Sequence, residues 1–168
     1  MVLEDRCVSK WTLIMIVTGI VMFASMFLDA IGVTFLGELH QISGFDLLRG
    51  GFEIGFIEIG TDSLSILHIF PSIVGIIGAA IVIISIITTC LGFNNRRFMM
   101  VVSLSLTVTL LLQVIFLLGG ASIEIFTGSA KDLLHGTGAT VTSMYGTYVA
   151  IFSTFICGMA STYRIREC

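Results

Sequence analysis

The sequence predicts an all-α membrane protein, a four-transmembrane-helix bundle with both termini cytoplasmic and two structured outer loops. Three observations predict it. Only 11% of the residues are charged against 56% hydrophobic, with a mean hydropathy of +1.07. Charge-free stretches long enough to cross lipid recur along the 168 residues. Basic residues crowd the ends of those stretches on one side.

An average soluble domain carries about a quarter charged residues. A chain this short has too much surface for its volume to hide the remainder, so lipid is the expected solvent. The formal net charge of -3 leaves no nucleic-acid footprint, and none is expected as a partner. The length suits one domain, 1–168.

A spanning helix needs roughly 20 apolar residues at about 1.5 Å each. Trp11–Leu28, Phe98–Ile123 and Gly136–Tyr163 carry no charge, and Ser63–Asn95 carries none beyond the titratable His68. Spans are expected at 11–34, 67–92, 98–118 and 139–161, with outer loops at 35–66 and 119–138. The first stretch does not read as a cleavable signal, because its apolar run is long and no small-residue site closes it. Pro71, the single proline, suits the first turn of the second span.

Lys and Arg favour the cytoplasmic side of a membrane. Arg6, Lys10, Arg96, Arg97, Arg164 and Arg166 flank the ends assigned to that side, and only Arg49 and Lys131 fall in the other loops. Trp11 and Tyr163 read as anchors at the inner interface. The outer loops are acidic, with Glu38, Asp46, Glu53, Glu58, Asp62, Glu124 and Asp132. Cys7, Cys90, Cys157 and Cys168 all lie in tails or at inner span ends, which argues against an outer disulfide and against a four-span thiol oxidoreductase.

The outer loops share the pattern S-x-x-D-L-L-(basic)-G, at Ser43–Gly50 and Ser129–Gly136. Ser43 with Asp46, and Ser129 with Asp132, read as helix caps, with glycine at the stop. Each loop also carries a strand-like piece, Gly51–Gly60 and Ser122–Phe126, flanked by glycine and able to pair into a small outer sheet. The repeated pattern raises a duplication of one hairpin, although helix and strand come in opposite order in the two loops.

Helices in lipid associate where small residues let backbones approach. Gly146, Ala150, Thr154 and Gly158 line one face of the fourth span, and Gly75, Gly78, Ala79 and Ala80 mark the second. Ser105, Thr109 and Gln113 form a polar row on the third. Polar groups within a membrane are functional candidates. Asp29, His68, Gln113, Tyr145 and Tyr148 fall at similar depth near the outer face, where they would build a polar pocket with Asp29 as its acid. Their simpler reading is a wet interface and an aromatic belt.

No nucleophile elbow, P-loop, H-E-x-x-H motif or paired catalytic carboxylates occur, no two histidines sit at ligand spacing, and no cofactor or metal site is expected. The larger first loop, short inner turn and smaller second loop resemble claudin-like proteins in outline. The claudin tryptophan and paired cysteines are missing from residues 37–64, so no functional residue carries over.

The expected function is non-catalytic. The chain would associate laterally in the cell membrane, with lipids and with itself or other subunits, as a homo-oligomer or an accessory subunit. The alternatives are a small oligomeric channel or transporter, and a lipid- or quinone-binding subunit of a membrane enzyme.

Overall fold

The computed structural model describes residues 10–50, 52–60, 63–64, 69–91, 96–120 and 126–167. In chain order they form α1 (Lys10–Ser25), β1 (Asp29–Phe35), β2 (Glu38–Ser43), α2 (Gly44–Arg49), β3 (Phe52–Ile54), β4 (Ile57–Ile59), α3 (Phe70–Leu91), α4 (Arg96–Ile115), α5 (Gly128–Gly136), β5 (Thr140–Ser143) and α6 (Tyr145–Glu167). A π turn, Phe116–Gly120, continues α4.

This architecture corrects the all-α four-span bundle. A three-stranded antiparallel sheet in the order β2-β1-β5 and a separate β3–β4 hairpin accompany the helices. Among the described residues, only Pro71–Leu91 and Arg96–Leu118 are both long and apolar enough to cross a membrane. Helix α1 has 16 residues, about 24 Å of length. Helix α6 has 23 residues but is diluted by glycine, serine, threonine and tyrosine.

The correction has a physical origin at residues 29–34 and 140–143, expected to lie within spans one and four. They are β1 and β5, hydrogen-bonded to each other from Ile31↔Ser143 to Thr34↔Thr140. Ile31, Val33 and Phe35 are buried on one face, and on the other Gly32 is buried with the Met144 and Leu39 side chains against it. A strand covered on both faces reads as an unbroken apolar run, and hydropathy cannot tell it from the last turns of a helix.

Strands β1 and β2 are joined by Leu36 and Gly37, with φ of 51° and 86°. Two positive φ values define the turn whose twist matches a hairpin, and asparagine or glycine normally supplies the first of them. Leucine there is strained, and its side chain is exposed. Leu36→Asn is expected to raise stability by about 1 kcal/mol, seen as a higher unfolding midpoint. An unchanged midpoint would mean that the turn carries no strain.

A bulge interrupts β1. Asp29 pairs with Ser43 and Ile31 with Ile42, which leaves Ala30 out of the ladder. The freed Ala30 carbonyl accepts the Met144 N–H at 2.9 Å and the Thr147 hydroxyl at 2.8 Å. The bulge thus ties the sheet to the start of α6.

The expected β element of the first loop is present as the β3–β4 hairpin. Its turn carries Gly55 at φ +61°, where a Cβ would meet the Phe35 ring at 2.7 Å. Of the strand-like Ser122–Phe126 only Phe126 lies within the described residues, and it bridges Leu64.

The two S-x-x-D-L-L segments fold differently. Ser43 caps α2 with a full capping box, its Oγ accepting the Asp46 N–H at 3.1 Å. Helix α5 instead starts at Gly128 after Thr127, so Ser129 lies inside the helix and does not cap it. The buried leucine is the first of the pair in α2, Leu47, and the second in α5, Leu134. One-residue rotation buries a different face, so the shared pattern does not produce equivalent structures.

Two apolar cores result. One lies under the sheet and the short helices and includes Ile31, Phe35, Leu47, Phe126 and Leu134. The other lies between the long helices and includes Met15, Met22, Ile81, Leu106 and Cys157. Helix α1 packs against α3 and α6, and α6 also packs against α4, while α3 and α4 barely touch.

Candidate functional site at the helix–sheet junction

The sheet-side ends of α1, α3, α4 and α6 converge at the junction, and most of the polar candidates lie there. Those among the described residues do not gather in one place. Asp29 begins β1 and accepts the Tyr145 hydroxyl at 2.9 Å on the exposed side of the junction. Tyr148 is exposed one turn further along α6. Gln113 is buried between the helices, bonded to Thr154 at 3.1 Å. His68 lies outside the described residues.

The Asp29–Tyr145 pair has a pH signature. The hydrogen bond to Asp29, with partial removal from water and the nearby negative charge, raises the phenol above its ordinary 10.0. A raised folded-state pKa means that the stabilisation is full below pH 10 and is lost as pH rises through the folded-state value. Asp29→Asn should let one of the chain's three tyrosines ionise at a lower pH in a spectrophotometric titration. An unmoved titration would show that the pair does not form in solution.

Close backbone contact supplies the rigidity of the junction. A Cβ on Gly146 would sit 2.7 Å from the Asp29 carbonyl oxygen, and one on Gly75 2.8 Å from Met26 Cβ. Ala150 and Thr154 are also buried on the expected face of α6, and Ala79 is half-buried on α3. Gly158 differs: a Cβ there would meet only Leu106 Cβ, at an ordinary 3.9 Å. Gly158→Ala is therefore expected to stabilise by up to about 1 kcal/mol through helix propensity. A loss of stability would place a tighter neighbour at that site.

Ser72 donates to the Gly44 carbonyl at 2.5 Å and fastens α2 to the head of α3. Where α1, α3, α4 and α6 meet β1 is a cavity of about 20 Å³ whose wall includes Ser25, Val74, Gln113, Phe116, Thr147 and Ala150. Its lining is almost entirely apolar apart from Gln113, Ser25 and Thr147.

The opposite end of the helices carries features that sequence reasoning assigned only in part. Trp11 and Tyr163 do meet there, stacked at 4.6 Å between ring centroids. Lys10 lies over the Trp11 ring at 5.1 Å and Arg166 over the Tyr163 ring at 5.5 Å, a cation on each side of the stack. Arg164 is buried and donates to Thr88 on α3 at 3.2 Å. Its position in a basic tail gave no sign of burial. The Gly19 contact with α3 was also missed, and a lone glycine within an apolar run was its only signal.

Among the described residues no three His, Cys, Asp or Glu side chains gather where they could hold a metal ion. No protein-family model, no curated protein and no solved structure matches the chain.

Proposed function

We propose that the chain is a non-catalytic, multi-pass protein of the cell membrane that works by lateral association, as a homo-oligomer or as the accessory subunit of a larger complex. One observation carries this reading. The two helices able to cross a membrane are largely uncovered, with only 33% and 28% of the residues buried in their most apolar 18-residue stretches. Ile76, Ile83 and Ile87 on α3, and Val101, Leu104 and Leu111 on α4, all face outward. A water-soluble monomer does not carry apolar rows of this extent without a partner or a lipid phase to cover them.

The orientation follows from charge. Lys10, Arg96, Arg97, Arg164 and Arg166 gather at one end, and Glu38, Glu53 and Glu58 lie towards the other. The positive-inside rule supports a cytoplasmic basic end, the end at which α1 begins and α6 closes. The absence of a reactive constellation in the sequence supports a non-catalytic role.

Single-cysteine variants along the outward face of α4, at Val101, Leu104, Val108 and Leu111, test the reading in native membranes. Oxidative cross-linking at one periodic subset would support association. Adducts to the same chain identify a homo-oligomer, and adducts of another mass identify a partner subunit. Free monomer at every position would overturn it.

A further inference from the structure

We infer that the cavity beneath the sheet binds an uncharged hydroxyl group, which donates a hydrogen bond to Gln113 Oε1. Gln113 is 2% exposed. Its amide orientation is settled by its neighbour. The Thr154 hydroxyl has one proton, and it goes to the Ala150 carbonyl at 2.7 Å. The Thr154 oxygen is therefore an acceptor towards Gln113, and only the Gln113 NH₂ can meet it, at 3.1 Å. That leaves Oε1 as the other end of the amide, buried and with no protein donor among the described residues. Buried carbonyl oxygens rarely go without a donor.

The other polar side chains of the wall cannot supply one. Ser25 gives its proton to the Met22 carbonyl at 2.7 Å, and Thr147 gives its proton to the Ala30 carbonyl at 2.8 Å. Each then has only lone pairs left to offer. The wall is thus a set of acceptors in an apolar surround, and it selects a donor. A cation would lose its hydration with no carboxylate in the wall to compensate, and an anion would face oxygen lone pairs. A neutral O–H meets neither penalty. The cavity, at about 20 Å³, holds one water-sized group. Water and the hydroxyl of a neutral lipid such as a diacylglycerol share this chemistry.

The test rests on the membrane reading, so incorporation of the full chain into phosphatidylcholine nanodiscs is scored first and separately. The chain has two glutamines, Gln41 and Gln113. ¹⁵N-glutamine labelling therefore gives two side-chain amides, and the exposed-site variant Gln41→Asn assigns them. Cross-relaxation from the Gln113 amide to water, with the sign of a long-lived contact, would identify bound water. Transfer of that contact to the glycerol protons of added diacylglycerol would identify the lipid. Both outcomes support the site. A Gln113 amide with no contact to water or to the added lipid would overturn it in a protein already shown to be incorporated.

Discussion

Gly78→Ala is expected to lower stability by about 1–2 kcal/mol, and Gly78→Leu to prevent the helices from docking. The new Cβ would lie 2.5 Å from Met22 Cβ, 2.7 Å from the Gly19 carbonyl oxygen and 2.9 Å from the Phe23 amide nitrogen. Two of these are backbone atoms and the third is bonded directly to backbone, so none can swing aside. Helix α1 must move away from α3, and Met15, Met22 and Ile81 lose packing in the helical core. Overpacking of this kind costs about 1–3 kcal/mol or more, against a gain of about 1 kcal/mol from alanine's helix propensity. Gly19 reports on the same crossing, since its own Cβ would meet Val82 Cγ2 at 2.8 Å and the Gly78 carbonyl at 3.0 Å. Thermal unfolding in mild detergent measures the effect. A Gly78→Ala protein as stable as the parent would show that the helices cross at a greater distance.

Gly146→Val should cost about 2–3 kcal/mol, by a different route. Its Cβ would meet the Asp29 carbonyl oxygen at 2.7 Å, the Asp29 carbonyl carbon at 3.0 Å and Leu28 Cβ at 3.0 Å. The obstruction lies where α1 gives way to β1, so α6 would be pushed from the sheet. The Met144 and Thr147 hydrogen bonds to the bulged Ala30 carbonyl would open together. Sheet and helices should then melt in two steps rather than one, resolved by following each with a separate spectroscopic probe. A single shifted transition would mean that the Ala30 bonds survive.

Much of the helical layer was legible because its signals are local. Charge-free runs mark Pro71–Leu91 and Arg96–Leu118, the four-residue spacing of Gly146, Ala150 and Thr154 marks a buried face, and Ser43 with Asp46 marks a capped helix. The sheet was partly hidden because its pairing is not local. Strand β1 meets β5 more than one hundred residues away, as Thr142 bonding to the Gly32 carbonyl illustrates. Its two-sided burial also gives it the composition of a membrane segment. Leu36–Gly37 carries half of the usual hairpin signal, since glycine stands second but leucine stands first. The side-chain directions of the polar candidates were not legible for a related reason. Depth along a helix says how far a group lies from the membrane surface, but not which face carries it. Asp29 and Gln113 share a depth and still point to different surroundings.

Helices α3 and α4 follow one another in sequence but barely touch in space. Helices α1 and α6, formed from opposite ends of the described chain, stack on each other and separate the pair that follow one another. Strand β5 completes its sheet only after almost all of the chain has been made. During synthesis α1 and α4 therefore wait with one flank unfilled, until β5 closes the sheet and α6 the helical layer. Such long-range closure slows folding and exposes apolar flanks in the interval. A chain stopped before Tyr145 would retain both candidate spans and lose the helix that packs against α1 and α4.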